Sequence, residues 1–385
     1  MIAYDRRSLD NRAIRTKAEQ AADQKIITKE ECARILEAYP SGLYTPNIFI
    51  RIGLFLLTVL ASLCCLGLFM LVSGVSGSNS FGIQFIILGL MAYTALEIFI
   101  RTRKFYCAGV DDALLWVAGG TILAGINIIA DRISPYNQDL IVLLLAAGGA
   151  LRYGDRLMTL VAYSALLSLL FHTAIDLGAA ARAILPFGIM LVSVAFYLLS
   201  ARLANEERLR HYHSCLLLLR VAALLSFYLA GNYYVIRQLN ELITTTDGPV
   251  SLGWLWWLLT AVTPVLYIVK GIQKKDPIFI WTGLMLTAAI IFTVRYYYHV
   301  LSPELAMIIG GVMLVTGAYA LIRYLQPSKH GFTSASPKEP HILGSLPVEG
   351  LILAESFKAA GAQPAGPEVR FGGGSGGGGG AGGEY

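Results

Sequence analysis

The sequence predicts an all-α protein: a polytopic transmembrane helical bundle of ten spans with both termini in the cytoplasm. Three observations predict it. The 385-residue chain is 56% hydrophobic and only 14% charged, with a mean hydropathy of +0.61, whereas soluble domains average about 45–50% apolar and ~25% charged residues. The apolar residues form continuous runs long enough to cross a bilayer. The number of lysine and arginine residues alternates between high and low in successive loops.

The apolar runs are predicted to be transmembrane helices, because ~20 residues at ~1.5 Å rise cross ~30 Å of hydrocarbon. Helices are required there, since backbone amides cannot stay unpaired in lipid. The ten predicted spans are 52–73, 81–100, 110–131, 139–151, 157–176, 182–203, 214–236, 252–271, 278–298 and 304–325. The loops between them are short, so soluble material is expected only at the two ends of the chain.

Three regions follow from these spans. Residues 1–48 are predicted to form a cytoplasmic N-terminal helical hairpin, residues 49–325 the ten-helix transmembrane domain, and residues 326–385 a flexible cytoplasmic tail with a Gly-rich end. The hairpin is indicated by Thr28 followed by Glu31, a capping-box pair in which each side chain bonds the backbone amide of the other residue. Glycine keeps a high backbone entropy, which favours a flexible tail.

Orientation is predicted from Lys and Arg in the short loops, because these residues accumulate on the cytoplasmic side. Within about one helical turn of the spans, the loops after spans 2, 4, 6 and 8 carry eleven such residues and the other loops four. Both termini are therefore expected in the cytoplasm, and no cleavable leader is expected. The weakest span is 139–151. If it and the next span both failed to cross, eight spans would remain with the same charge distribution.

Ionisable residues inside spans are candidates for function, because a charge in hydrocarbon costs at least ~2.5–3.5 kcal/mol on insertion scales. Glu97 lies one helical turn before Arg101, and an interfacial i,i+4 pair is its simplest interpretation. Arg220 lies about 9 Å from the start of its span. Its long side chain either snorkels to the cytoplasm or meets Glu97 or Asp112 across the bundle, and both alternatives stay open here.

A second group of polar residues is predicted at the outer ends of the spans. Asn127 and Asp131 share one helix face, as do His172 and Asp176, and Arg295 precedes a run of tyrosines. These residues either line a periplasmic vestibule, where histidine titrates near neutral pH, or are ordinary helix ends that meet headgroups and water. The second interpretation is favoured, because tyrosines are typical of the interfacial aromatic belt.

Several classes of function are disfavoured by the patterns that the sequence lacks. Five cysteines without a C-x-x-C spacing predict neither a disulfide framework nor a zinc site. The series His211-x-His213-x-Cys215 does not converge on a helix, where every second residue is rotated by ~200°. No phosphate-binding loop or metalloprotease motif occurs. We therefore expect no metal, no cofactor and no nucleic-acid partner, and these patterns favour a protein without enzymatic activity.

The order of these features resembles bacterial polytopic membrane proteins of the domain of unknown function 2157 type. The resemblance rests on KIITKEECARILEAYP (Lys25–Pro40), followed soon by the apolar run Ile50–Val72. Members of that group have a short helical hairpin and then a long array of apolar helices. The resemblance implies a multi-pass protein of the bacterial inner (cytoplasmic) membrane, and it transfers no catalytic residue.

Two functions are compatible with these patterns. The first is a permease for a small solute or ion, which needs polar residues converging near the membrane midplane; its partners are the lipid bilayer and the solute. The second is a non-catalytic membrane scaffold or envelope-stress component that acts through its cytoplasmic ends. An intramembrane enzyme is a third possibility without any motif behind it.

Overall fold

A computed structural model describes residues 2–73, 77–130, 133–244 and 252–297, together with single positions between 305 and 323. The chain divides into two compact units, Met1–Ala320 and Leu321–Tyr385, and every helix with described bounds belongs to the first. Within the described residues the protein is all-α and contains no β-strand, which confirms the all-α part of the predicted fold class.

The described α-helices, in chain order, are α1 Arg6–Asp23, α2 Lys29–Ala38, α3 Ile48–Ser73, α4 Ser78–Arg103, α5 Val110–Ile129, α6 Pro135–Tyr153, α7 Arg156–Leu177, α8 Ala179–Leu203, α9 His213–Gly231, α10 Tyr233–Thr244, α11 Gly253–Lys274 and α12 Pro277–Tyr297. A short 3₁₀ helix, Glu207–Tyr212, precedes α9.

Seven of the described helices are long and apolar enough to cross a membrane: α3, α4, α5, α7, α8, α9 and α11. The apolar part of α12, Pro277–Ile291, is shorter, and α6 begins with a polar turn. Such an array is compatible with a multi-pass integral membrane protein. The predicted span 304–325 and the predicted tail 326–385 lie outside the continuously described residues.

The N-terminal hairpin consists of α1 and α2 and confirms the capping-box prediction. The backbone amide of Glu31 donates to Thr28 Oγ1 at 3.2 Å, and the backbone amide of Thr28 donates to Glu31 Oε2 at 2.8 Å. The two helices are tied together by Arg15, whose Nη1 donates to the carbonyl oxygen of Leu36 at 2.7 Å. Ile35 and Leu36 are half-buried in this hairpin.

Helix α6 is longer than the predicted run 139–151, because local capping extends it at both ends. Ser134 Oγ accepts from the backbone amide of Asn137 at 3.4 Å, and Pro135 occupies the first helical turn, where its missing N–H has no cost. Gly154 ends the helix in a left-handed conformation with φ 65°. Its 19 residues correspond to a length of about 28 Å.

The prediction of one continuous span over 214–236 is wrong, because the chain breaks at Asn232. The backbone of Asn232 is extended, and its Oδ1 accepts from the backbone amide of Tyr234 at 2.9 Å. The amide of Tyr233 donates to Thr260 Oγ1 of α11 at 2.9 Å. Side-chain oxygens therefore replace the helical acceptors. Helix α9 ends at Gly231, and α10 begins at Tyr233.

Close packing between α4 and α5 depends on glycine. A Cβ atom on Gly125 would lie 2.5 Å from the carbonyl oxygen of Gly82, and one on Gly82 would lie 2.8 Å from that of Gly125. The two backbones therefore touch directly, as small residues allow in membrane helices. Gly120, on the same helix α5, is exposed and has nothing within 4 Å of its Cβ position.

We expect Gly125→Val to destabilise the protein by about 1–3 kcal/mol, the range found when side chains are forced into a filled space. Gly120→Val is the matched control, because it makes the same change of helix propensity on the same helix with open space around it. Thermal unfolding in detergent should show a lower midpoint for Gly125→Val than for Gly120→Val. Equal midpoints would mean that α4 and α5 do not touch at Gly125.

Candidate functional site

Most of the ion pairs that join different helices and loops lie at one end of the bundle, which we call the basic end. It is formed by the loops 104–109, 152–155, 204–212 and 275–276. Glu97, near the end of α4, accepts from Arg152 Nε at 2.9 Å and Nη2 at 3.0 Å, and from the Tyr153 hydroxyl at 2.8 Å. The predicted partner Arg101 is present but more distant, at 3.5 Å. Glu97 is therefore primarily a clamp between α4 and α6.

Asp112 forms a second such pair. Its Oδ2 accepts from Arg51 Nη2 at 2.6 Å and Nε at 3.0 Å, which ties the start of α3 to the start of α5. Paired charges with several hydrogen bonds lose less on leaving water than isolated ones do. The arginine partners of Glu97 and Asp112 are thus Arg152 and Arg51, and not Arg220.

The start of the chain through α1, which we call the N-terminal segment, docks onto the basic end. The backbone amide of Ala3 donates to the carbonyl oxygen of Arg152 at 2.7 Å. Further along, Asp10 accepts from Arg210 Nη2 at 2.5 Å and lies 3.4 Å from His211 Nε2. These contacts join the N-terminal segment to two loops that are distant in sequence.

Tyr4 is a buried aromatic residue of this segment, with only 8% of its surface exposed. Its hydroxyl donates to Asp111 Oδ2 at 3.4 Å, and its ring packs edge-to-face on Tyr106 with 4.8 Å between centroids. The Arg12 guanidinium also lies over the Tyr106 ring, 4.3 Å from its centroid. Burial, reinforced by the Asp111 carboxylate, raises the pKa of Tyr4, so its hydroxyl stays protonated and able to donate.

The loop beneath Tyr4 is also held by backbone pairing. The amide of Tyr44 donates to the carbonyl oxygen of Lys104 at 3.1 Å, and the amide of Tyr106 donates to the carbonyl oxygen of Tyr44 at 3.3 Å. Cys107 belongs to this loop and lies close enough to Tyr4 to interact with it electrostatically. Burial raises the pKa of the Cys107 thiol to about 11, so little of the reactive thiolate is present at neutral pH.

Arg220 extends from α9 toward the basic end. Its Nη1 lies 3.9 Å from Oδ2 of Asp276, which belongs to the loop between α11 and α12. Of the two sequence interpretations, the geometry agrees with a side chain that reaches toward the loop. The Nε atom of Arg220 is buried without a hydrogen-bond partner.

The interior of the bundle holds hydroxyl groups where α7, α8 and α9 meet. Tyr163 Oη lies 2.6 Å from Ser226 Oγ, and Ser226 Oγ lies 2.8 Å from Ser193 Oγ. All three residues are buried, and Ser193 lies near the middle of α8. We call this trio the hydroxyl cluster. It is polar but uncharged, which is the less costly way to bury hydrogen-bonding groups in a membrane.

An apolar cavity of about 200 Å³ borders the hydroxyl cluster through Ser226. Its walls come from α7, α8, α9 and α10, and they include Pro186 and Ala230. The residues of α10 that line it are Val235, Ile236 and Leu239, which share one helix face. Helix α10 therefore covers the cavity with its apolar side. A second cavity of about 300 Å³ lies under the docked N-terminal segment at the basic end.

The residues predicted at the outer ends do not gather into one site within the described part of the chain. His172 Nδ1 lies 2.6 Å from Asp139 Oδ2, which links α7 to the start of α6. Asn127 Nδ2 donates to the carbonyl oxygen of Leu123 at 2.9 Å on its own helix, and Asp176 is exposed. Asp131 and the side chain of Arg295 lie outside the described residues.

Sequence reasoning missed the partners of the charged residues. These partners lie at the ends of predicted spans, where charged residues were used only to predict orientation. They are Arg51, Arg152, Asp139 and Asp276. A lone charge next to an apolar run is the signal they share, but it does not reveal which helix supplies the opposite charge. The chain matches no protein-family model and no curated protein.

We expect Tyr4→Ala to raise the rate at which a maleimide reagent labels Cys107. Loss of the ring uncovers the loop, and lower burial moves the pKa of the thiol down toward its ordinary value of 9.0, so the thiolate fraction rises. The experiment uses a variant in which Cys107 is the sole cysteine. Tyr39→Ala, which removes an exposed tyrosine from the same N-terminal region, is the control. Equal labelling of Tyr4→Ala and its parent would refute docking through Tyr4.

Proposed function

We propose that this chain is a multi-pass protein of the bacterial inner membrane that acts as a permease for a small, uncharged solute. The cavity bordered by the hydroxyl cluster is the observation that carries this proposal. It lies between α7, α8, α9 and α10, its lining is apolar apart from Ser226, and no charged side chain lines it. Such a lining suits a molecule without charge and with one hydrogen-bonding group better than it suits an ion.

The broken helix next to the cavity supports transport. Secondary transporters commonly build their sites from discontinuous helices, and α9 and α10 are separated by Asn232. The side-chain amide of Asn232 donates to Tyr228 Oη at 3.0 Å and to Thr293 Oγ1 at 3.3 Å. The break is therefore held in place by α12 while α10 covers the cavity, an arrangement in which α10 can act as a gate.

Ten spans with cytoplasmic termini remain our proposed topology, and contacts at the basic end support it. The N-terminal segment contacts Arg152 and Arg210, and Tyr44 pairs with the loop at Lys104. These loops follow the predicted spans 2, 4 and 6, so they lie on the same side as the N-terminus. They also carry most of the basic residues, which favours the cytoplasm. A 28-Å α6 that ends at this side favours a crossing helix over a re-entrant one.

The bacterial inner membrane is proposed from the resemblance to the domain of unknown function 2157 group. A helical hairpin followed by an array of apolar helices is the order that this resemblance implies, and α1 to α12 follow the same order. The proposal of membership rests on this order and on the stretch Lys25–Pro40.

A scaffold that acts through its cytoplasmic ends is the second candidate. The docked N-terminal segment favours it, because Tyr4 and Asp10 make specific contacts that a merely solvated cap does not need. Release of this segment would expose the surface around Tyr106 and Cys107 to a partner. The two candidates differ in whether the isolated protein moves solutes.

We expect proteoliposomes containing the protein to shrink and re-swell faster than empty liposomes when challenged with at least one small uncharged solute, such as glycerol or urea. Ala230→Phe should return the rate toward that of empty liposomes, because Ala230 is 7% exposed and its new ring fills the cavity. Ala195→Phe, at an exposed position of α8, is the matched control and should keep the wild-type rate. Stopped-flow light scattering measures the rate for the wild type, both variants and empty liposomes.

Two results would contradict the permease. Wild-type liposomes no faster than empty ones for every solute would favour the scaffold. An Ala230→Phe variant as fast as the wild type would separate any transport from this cavity.

A further inference from the structure

Arg220 is less well satisfied than the other arginines that form ion pairs between membrane helices. Only 14% of its side-chain surface is exposed, yet its nearest acidic oxygen, Asp276 Oδ2, is 3.9 Å away. Its Nε–H is buried and has no acceptor. By contrast, Arg51 and Arg152 each place two nitrogens within 3.0 Å of a carboxylate. A buried N–H without an acceptor is costly and calls for a specific explanation.

Asp276 also has a partner of its own. Its Oδ1 accepts from the backbone amide of Ile278 at 3.0 Å, at the start of α12. Its Oδ2 lies 3.9 Å from Arg220 Nη1, beyond hydrogen-bond distance. The guanidinium therefore keeps unused donors in a fixed fork, a geometry that matches the oxygens of phosphate and carboxylate groups.

The surroundings of Arg220 favour an anion. Next to it in the bundle lies an apolar cluster that includes Leu217, Leu224 and Phe279, and a low dielectric strengthens the attraction between opposite charges. Lys274 and Lys275 directly precede Asp276 and are exposed. The loop therefore carries more positive than negative charge, and it lies at the basic end, where lipid headgroups and soluble anions are both within reach.

We propose that Arg220 is the centre of an oxyanion-binding site at the basic end, built from α9 and the loop between α11 and α12. The ligand is a phosphate or carboxylate group that accepts from the guanidinium, with Lys274 and Lys275 adding positive charge at the opening. The group belongs either to a free anion or to the headgroup of an anionic lipid. This site is separate from the cavity at Ser226, and anion binding there does not depend on the proposed transport function.

The test measures binding to the full-length protein in two arms at constant ionic strength. In the first arm, inorganic phosphate is titrated into protein in a neutral detergent, and the heat of binding is recorded. In the second, the protein is held in phosphatidylcholine nanodiscs with increasing phosphatidylglycerol, and the unfolding midpoint is recorded. Saturable binding in the first arm identifies a free anion. A saturable rise in the second arm alone identifies a lipid headgroup.

Variants assign the binding to Arg220. Arg220→Gln should weaken it roughly ten- to hundredfold, as expected for loss of hydrogen bonds to a charged group. Arg202→Gln, which removes an exposed arginine at the end of α8, is the matched control and should bind like the wild type. Arg220→Lys should be intermediate, because an ammonium group cannot form the two-pronged contact.

Asp276→Asn keeps the proposal testable even if Arg220→Gln fails to fold. It leaves Arg220 intact and removes the competing carboxylate, so binding should become tighter. If Arg220 and Asp276 are only a structural pair, Asp276→Asn lowers the unfolding midpoint and binds no anion. That result would contradict the proposed site. So would an absence of saturable binding in both arms, or equal binding by the wild type and a folded Arg220→Gln variant.

Discussion

The need to pair every charge that enters the membrane shapes this molecule more than any other constraint. Glu97 and Asp112 each lie near the end of an apolar helix, and each is met by an arginine from a different helix. An unpaired charge in hydrocarbon costs several kcal/mol, so these pairs fix which helix ends come together. The apolar faces themselves discriminate little between neighbours, because lipid is as apolar as leucine.

The same constraint separates the molecule into two chemical zones. Most interhelical ion pairs, the docked N-terminal segment and the basic loops lie at one end, while the interior contains the uncharged hydroxyls of Tyr163, Ser193 and Ser226. The proposed solute cavity belongs to the second zone and the proposed oxyanion site to the first. A bundle arranged in this way can bind a neutral molecule inside without disturbing the ion pairs that hold its end together.

Most of the fold depends on residues that are close in sequence, whereas the candidate sites depend on contacts between residues that are distant in sequence. The capping box at Thr28 and the apolar runs depend on neighbouring residues, so they could be predicted from the sequence. The break at Asn232 could not, because hydropathy continues through it and the acceptor that stabilises it, Thr260, comes from α11. The partners of Glu97 and Arg220 escaped prediction for the same reason: Arg152 and Asp276 are 55 and 56 residues away along the chain.

We propose that lipid is the solvent of this bundle and that its basic end faces the cytoplasm. Cysteine accessibility in spheroplasts tests it most directly, with single cysteines introduced as Lys274→Cys at the basic end and Tyr136→Cys at the opposite end of α6. A membrane-impermeant maleimide should label Tyr136→Cys in intact spheroplasts and Lys274→Cys only after permeabilisation. Labelling of Lys274→Cys in intact spheroplasts would contradict a cytoplasmic basic end.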